Sequence, residues 1–233
     1  MTNAKIRLAS YNIRKARGLD QRRRPERTLA VINALEADVV VLQEADRRMG
    51  ERVPAVPRAM IEAETDFKLV EVSANGISLG HHGNAVLVRD PAQVRAIHRI
   101  DMPGFEPRGA LRIDLELGGG VSIVAAHLGL RRRDRRAQLA HLRKQTEGCA
   151  QVVIAGDFNE WAQHRGLEPL ADRFVIHSPG HSFHARRPIA GLDRFALSAD
   201  VTLGDAGVAQ DALARIASDH LPIWSDLEFA AAS

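Results

Sequence analysis

Cysteine is almost absent from the 233-residue sequence, which contains only Cys149. A single cysteine excludes an internal disulfide and a zinc site built from cysteines, and it is typical of a reducing compartment. No stretch approaches the roughly 20 consecutive apolar residues of a membrane-spanning helix. The first residues carry charges where a signal peptide needs an unbroken apolar run. These absences predict a soluble cytoplasmic protein without an integral membrane segment.

Aromatic residues make up only 4% of the chain, so few flat side chains are present for stacking single-stranded bases. The sequence also lacks internal repeats, low-complexity tracts and a linker rich in proline and serine. Its hydrophobic content of 45% is nevertheless sufficient to bury a substantial core. We therefore expect a single domain over residues 1–233.

Positive charge is only slightly in excess, with a formal net charge of +3, but arginines are clustered in residues 14–24 and 130–139. Such clusters can contact phosphates. In the second cluster, Leu139 and Leu142 are three residues apart, which predicts a helix whose arginines line the solvent-exposed face. Both interpretations remain open from the sequence.

Seven runs rich in β-branched or large apolar residues predict strands. They cover residues 6–13, 38–44, 84–89, 110–117, 121–128, 151–157 and 221–229. Helices are predicted over residues 25–37, where Pro25 suits a first helical turn, and over residues 132–147. Residues 115–127 have the pattern of a hairpin joined by glycines. This order of elements predicts a mixed α/β fold with mainly antiparallel strands.

Polar residues concentrate where these apolar runs end. In VVIAGDFNEW, residues 152–161, Asp157 and Asn159 are two positions apart, so they point to the same side of an extended segment. Similar strand ends carry Asn12, Gln43, Glu44, Asn84, His127, Asp193, Asp219 and His220. One such residue is usually a helix cap or a surface group, but the whole set indicates a functional site. Carboxylate and amide oxygens are ligands that suit Mg²⁺ or Mn²⁺.

Zinc is not predicted at this site. It usually requires cysteines or a closely spaced histidine pair. His81 and His82 are adjacent, and adjacent residues of a strand point to opposite faces, so they are not expected to face one ion.

Seven short motifs follow one another along the chain. They are YN (11–12), LQE (42–44), GNAVLVR (83–89), AHL (126–128), GDFN (156–159), LDRF (192–195) and SDHLP (218–222). In this order, and above all through GDFN and the terminal SDHLP, they resemble the endonuclease/exonuclease/phosphatase superfamily of DNase I-like, metal-dependent phosphoesterases. The resemblance extends over residues 6–228. It implies a four-layer α/β (α+β) sandwich, in which two packed, mainly antiparallel β-sheets are flanked by helices, and hydrolysis of a phosphate ester.

The resemblance also implies roles for the matching residues. Asn12, Glu44 and Asp219 match metal ligands, which would bind Mg²⁺ or Mn²⁺. Asp157 matches the group that orients or deprotonates the attacking water, and Asn159 would hold the phosphate or that water through its amide. Each role answers a need of phosphoryl hydrolysis: charge neutralisation and an oriented nucleophile.

Four further positions complete the predicted site around His220. Asp193 is expected to accept a hydrogen bond from His220. Its negative charge would favour the imidazolium form of His220 and fix the orientation of the ring. His127 matches a hydrogen-bond donor to the phosphate. Asn84 is predicted to bind a phosphate oxygen or to orient a neighbour. Arg108 either clamps the phosphate bidentately or forms a surface salt bridge.

One departure from the family pattern argues against abasic-site repair. Abasic-site endonucleases of the superfamily carry a tyrosine in the middle of the chain, whereas the only tyrosine here is Tyr11, beside Asn12. Residues 181–188, HSFHARRP, either line a substrate pocket or form a solvated loop. The predicted substrate is a phosphodiester, either nucleic acid or a lipid head group or other small diester. The alternatives are a phosphomonoesterase on the same site and a catalytically silent module that binds nucleic acid or an anionic membrane.

Overall fold

Two β-sheets form the body of the molecule. The computed structural model describes residues 4–48, 50–90, 92–117 and 119–230, and within them twelve strands form two six-stranded sheets. The first sheet contains β1 (Ala4–Asn12), β2 (Val39–Gln43), β3 (Lys68–Leu69), β4 (Ala85–Val88), β11 (Val201–Val208) and β12 (Ile223–Phe229), in the order β11-β12-β1-β2-β4-β3. The second contains β5 (Val94–Asp101), β6 (Gly109–Leu115), β7 (Val121–His127), β8 (Gln151–Asp157), β9 (Phe174–His177) and β10 (Asp193–Ser198), in the order β5-β6-β7-β8-β10-β9.

Pairing within the sheets is mainly antiparallel, as predicted. β1 and β2 run parallel, as do β7 and β8, while the other paired strands are antiparallel. The predicted hairpin over residues 115–127 is the β6–β7 pair, in which Leu115 lies opposite Val121. Gly118, in its turn, lies outside the described residues. Each sheet thus has one parallel pair near its centre, and these two pairs end at the site described below.

The helices are few and short. They are α1 (Pro25–Ala34), α2 (Arg58–Glu64), α3 (Arg132–Gln145) and α4 (Ala214–Ala217), with single 3₁₀ turns at Arg14–Ala16 and Glu168–Leu170. The predicted helix over residues 25–37 begins at Pro25 but ends three residues early, because Glu36 adopts a left-handed φ of 51°. None of the helices in the described ranges is long and apolar enough to cross a membrane.

Apolar side chains fill three layers of core. Between the sheets, Val41 of β2 belongs to a buried cluster with Ile123 of β7 and Phe195 of β10. On the outer face of the first sheet, the neighbouring Val40 packs in a second cluster with residues of α1. α3 covers the outer face of the second sheet through Leu139 and Leu142. Complete burial of one such side chain contributes about 1.5–3 kcal/mol, so both faces of each sheet stabilise the four-layer sandwich.

The strands that the sequence did not predict lie mostly at sheet edges. β5 alternates half-buried and exposed residues and carries charges at Arg95, Arg99 and Asp101. β11 and β9 are also terminal in their sheets. Edge strands need less apolar surface than central ones, so an apolar-run criterion passes over them. β10 is an exception, because it is fully buried, but its sequence DRFALS contains no β-branched residue.

Candidate active site

The strand register places three predicted residues side by side at one edge of the second sheet. The parallel β7–β8 pair sets His127 opposite Asp157. The antiparallel β8–β10 pair sets Asp193 opposite the same Asp157. Nε2 of His127 lies 3.4 Å from Oδ2 of Asp157. Residues that are 30 or more positions apart in sequence therefore meet through backbone pairing alone.

The first sheet contributes two more side chains to Asp157. Asn12, the last residue of β1, donates a hydrogen bond from Nδ2 to Oδ2 of Asp157 at 3.0 Å. His220, just before β12, places Nε2 3.6 Å from that oxygen and Nδ1 2.8 Å from Oδ2 of Asp193. Asp157, Asp193 and His220 each have a ligand-type atom within 4.8 Å of the others, an acidic cluster that could bind a metal ion. The site thus spans both sheets.

Burial and charge set the protonation of this cluster. Burial raises the pKa of the Asp157 carboxyl above its usual range, which makes it a stronger base. Burial lowers the pKa of His127 well below its usual value, which keeps that ring neutral. For His220, burial opposes the charged form, but the carboxylates of Asp193 and Asp157 outweigh it and raise the pKa. The two histidines are therefore differentiated into a neutral ring and an imidazolium.

A strained turn orients the Asp157 carboxylate. Asn159 adopts a left-handed φ of 51°, an uncommon conformation for a residue other than glycine. Its backbone N–H donates to Oδ1 of Asp157 at 2.9 Å, and its Nδ2 donates to the carbonyl of Leu128 at 2.9 Å. The bond from the Asn159 N–H and the bond from Asn12 together fix both carboxylate oxygens of Asp157. The phosphate contact of Asn159 stays a prediction.

The three predicted metal ligands lie at the C-terminal end of β1 and close to it. Ser218 donates its hydroxyl to the backbone carbonyl of Asn12 at 2.7 Å, which brings the following Asp219 beside that strand. Glu44 follows β2, with a left-handed φ of 52°. Adjacent basic residues pair with both carboxylates: Arg14 Nε lies 3.3 Å from Asp219, and Lys15 pairs with Glu44.

This donor set consists of oxygens only, two carboxylates and one amide, and both carboxylates remain partly exposed. It fits a hard divalent cation.

Arg108 and Asn84 differ in their surroundings. Arg108 lines a cleft of about 270 Å³ that also includes Glu44 and His127, and it donates to Glu106 at 3.0 Å. Both interpretations of Arg108, cleft residue and ion-pair partner, therefore apply.

Asn84 is fully buried, and its Nδ2 donates to the carbonyls of His81 and Gly109. Of the two predicted roles for Asn84, orienting a neighbour fits these contacts, and the phosphate contact stays a prediction.

Part of the segment of residues 181–188 packs against the site, and the solvated-loop interpretation holds only for its exposed residues, His181, Arg186 and Arg187. Ser182 is fully buried and donates its hydroxyl to Oδ2 of Asp193 at 2.5 Å. The Phe183 ring lies 5.0 Å from that of His220 and 5.9 Å from that of Trp161. Trp161 itself is 59% exposed. The sequence pattern singles out the segment that contains Ser182 and Phe183 but not Trp161, which only its position directly after GDFNE could have indicated.

The second arginine cluster is only partly solvent-facing. Arg135 of α3 is buried, and it pairs at 2.7 Å with Glu160, which is also buried. Arg132 pairs with the same carboxylate at 2.8 Å. The expectation that these arginines line an exposed helix face is therefore wrong for Arg135, because the carboxylate three residues beyond Asp157 draws it inward. These contacts anchor the segment that carries Asn159.

His81 and His82 occupy a turn before β4 rather than a strand. His82 adopts a left-handed φ of 50°, which returns its side chain to the side of its neighbour. Both rings face Asp101 at the end of β5. The expectation that the two histidines cannot face one point is therefore wrong, because it assumed extended backbone.

Comparison with known proteins agrees with this geometry. Residues 9–220 match the model of the Endonuclease/Exonuclease/phosphatase family. The uncharacterized protein YbhP of Escherichia coli K12 is 30% identical over 224 residues, covering 84% of this chain and 85% of YbhP.

Solved structures share the fold. A Bacteroides thetaiotaomicron protein of the same family has a TM-score of 0.78 at 17% identity, covering 98% of this chain and 99% of that one. D. rerio TDP2, solved with a single-strand DNA product, has a TM-score of 0.72 at 18% identity, covering 96% and 98%. With its motifs, its two-sheet sandwich and these matches in agreement, the chain belongs to the endonuclease/exonuclease/phosphatase family.

Proposed function

We propose that the protein is a divalent-metal-dependent phosphodiesterase. The family is generally hydrolytic. The observation that carries the proposal is the position of Asp157, a buried carboxylate of raised pKa in contact with Asn12 and flanked by His127 and His220. A carboxylate would repel a phosphate that was merely to be bound, whereas a hydrolase needs a base at that place. This argues against a catalytically silent binding module.

Asn12, Glu44 and Asp219 would hold Mg²⁺ or Mn²⁺, whose oxygen-ligand chemistry they match. When bound, the ion supplies positive charge for the non-bridging phosphate oxygens. Arg14 and Lys15, which pair with Asp219 and Glu44, would shift their contacts toward the substrate. Asn12 also contacts Asp157, so it would link the metal ligands to the base.

Asp157, His220 and His127 would supply the other catalytic roles. Asp157 accepts a proton from the attacking water, and its orientation is fixed by the N–H of Asn159. His220, held at Nδ1 by Asp193, keeps positive charge beside the phosphorus. Neutral His127 donates a hydrogen bond to a phosphate oxygen. Together they stabilise the charge that develops as the ester bond breaks.

A phosphomonoesterase on the same site is the second candidate. The cleft beside Glu44 is lined by four basic side chains, Lys15, Arg48, Arg52 and Arg108. Such a cationic wall favours the extra negative charge of a terminal phosphate. For a diester, the same wall would contact the phosphate of a nucleic acid or of a lipid head group, which are the two substrate classes we propose.

Replacement of Glu44 by Gln tests the metal. The variant keeps the shape but loses one charged ligand, so Mg²⁺-stimulated hydrolysis of bis-p-nitrophenyl phosphate should fall at least about 10²-fold. Mg²⁺ affinity, measured by calorimetry, should fall with it. Glu116→Gln, at an exposed ion pair with Arg95, is the matched control and should behave as the wild type. Undiminished activity in chelator would contradict metal dependence, and faster cleavage of p-nitrophenyl phosphate would favour the monoesterase.

Trp161 offers a test of the group attached to the phosphate. Its exposed ring packs edge-to-face on Phe183, which lies against His220, so a flat leaving group or base could stack there. Trp161→Ala should raise KM for aryl or nucleotide diesters about 10-fold while leaving kcat within about 3-fold. Trp161→Phe should restore most of the affinity. An unchanged KM with a lowered kcat would instead indicate a role in positioning His220.

A further inference from the structure

A second group of metal-ligand side chains lies beside the cleft. Nε2 of His81 is 3.2 Å from Oδ1 of Asp101, and Nε2 of His82 is 3.7 Å from the same oxygen. One ligand atom from each residue lies within 4.8 Å of the others. The two imidazole rings are nearly perpendicular, at 86°, with centroids 4.6 Å apart. Three donors therefore converge on one small volume.

The backbone holds this arrangement in place. His81 and Asn84 exchange two backbone hydrogen bonds of 2.9 Å. The buried amide of Asn84 also donates to the carbonyl of Gly109 at 2.8 Å, which ties the turn to β6. A Cβ at Gly109 would lie 2.7 Å from a ring carbon of His81 and of His82. Only glycine at this position lets both rings lie where they do.

The Nε2 atoms of His81 and His82 both face Asp101, in an orientation that suits metal binding. Nδ1 of His82 lies 3.1 Å from the carbonyl oxygen of Pro107. Donation to that carbonyl leaves the lone pair on Nε2, the usual arrangement of a metal-binding histidine. Nε2 of His81 is buried, and the carboxylate of Asp101, 3.2 Å away, is the group that faces it. Burial also lowers the pKa of His81, which favours the neutral form that ligation requires.

An ordinary histidine–carboxylate pair offers a comparison on the same sheet. His98 lies 3.0 Å from Asp114, but that pair has no second imidazole, and Asp114 also accepts from Ser122. The cluster at His81 differs because it unites two nitrogens and one oxygen. Two imidazoles and a carboxylate suit Zn²⁺ and similar transition metals, not Mg²⁺.

We propose that His81, His82 and Asp101 form a binding site for a transition-metal ion of the Zn²⁺ class, separate from the oxygen-ligand site around Glu44. Three protein ligands leave a position for water. His82 lines the same cleft as Glu44 and Arg108, so an ion bound there lies at the cleft's rim.

Co²⁺ is the probe, because its visible absorption reports coordination, and Mg²⁺ in excess occupies the oxygen site. The wild type should bind one Co²⁺ with the absorption of a nitrogen- and oxygen-ligated ion, and Zn²⁺ should displace it. His82→Ala and Asp101→Asn should each weaken binding at least about 10-fold. The control, His98→Ala, removes a histidine three positions before Asp101 and should bind as the wild type. Circular dichroism confirms that each variant is folded.

Three outcomes would overturn the proposal. Co²⁺ binding that survives both His82→Ala and Asp101→Asn would place the ion elsewhere. Loss of Co²⁺ binding in excess Mg²⁺, or in the Asp157→Asn variant, would assign the Co²⁺ ion to the catalytic cluster. Absence of Co²⁺ and Zn²⁺ binding to the wild type would exclude the site. None of these measurements depends on hydrolysis, so they test the metal site independently of the proposed phosphodiesterase activity.

Discussion

Replacing Asp157 with Asn is expected to lower kcat for diester hydrolysis by about 10³-fold. The amide has nearly the same shape as the carboxylate and can keep the hydrogen bond from the N–H of Asn159. It cannot accept a proton from water, and it removes the charge that faces His220. Burial disfavours the carboxylate of Asp157, which is only 1% exposed, so its removal stabilises the fold. The amide has only one acceptor oxygen and loses the hydrogen bond from Asn12, so the variant should be about as stable as the wild type.

The measurement pairs steady-state kinetics with thermal unfolding of the same samples. Asp172→Asn, at an exposed carboxylate that pairs with Arg143, is the matched control and should retain full activity. A loss of kcat together with an unchanged or higher Tm assigns Asp157 to chemistry. An Asn variant that retains more than a tenth of the wild-type kcat would exclude Asp157 as the base.

The second large effect concerns stability, at Glu160. Burial alone would raise the pKa of this carboxyl, but hydrogen bonds from Arg132 and Arg135 lower it from 4.5 to about 2. Glu160→Gln leaves the buried guanidinium of Arg135 without its counter-charge. The free energy of unfolding at neutral pH should therefore fall by about 3 kcal/mol, from the size of that pKa shift and the usual cost of breaking a buried pair.

The dependence on pH has a definite sign. Since the folded pKa of Glu160 is depressed, its stabilising effect is complete above the unfolded value of 4.5 and is lost as the pH falls through about 2. The difference between wild type and Glu160→Gln in denaturant unfolding should thus shrink between pH 5 and pH 2. Glu168→Gln, at an exposed carboxylate that pairs with Arg136 of α3, should show a much smaller difference. If the difference in free energy of unfolding between wild type and Glu160→Gln did not depend on pH, packing and not charge would explain the lower stability of the variant.

Much of this site could be predicted because its residues end apolar runs. Asp157 and Asn159 follow β8, and Asn12 ends β1, so a strand pattern alone places them at sheet edges. The motifs supplied the family and the two-sheet fold. The pairing of His220 with Asp193 also followed from the family motifs, and the 2.8 Å contact agrees with it.

Other contacts had no local signal. Ser182 reaches Asp193 only because the segment of residues 181–188 folds back on the site, and Arg135 is drawn inward by Glu160 from a different element. Neither contact has a sequence spacing that a helix or strand would impose. The His81–His82 turn was misjudged for a related reason, since a positive φ at a histidine is not visible in the sequence. Contacts between distant segments and rare backbone conformations could therefore not be predicted from the sequence pattern.

The hydrogen bond from Asn12 to Asp157 joins the two sheets, and this has a consequence for how the protein can change over evolution. Asn12 is fixed to the first sheet and Asp157 to the second, so their 3.0 Å separation measures how the sheets are aligned. Catalytic groups tolerate displacements of only about 0.5 Å. A methyl group gained or lost between the sheets, at Val41 or Phe195, could slide one sheet over the other by that amount. Substitutions in the apolar interior, far from any substrate, are therefore expected to change turnover as well as stability.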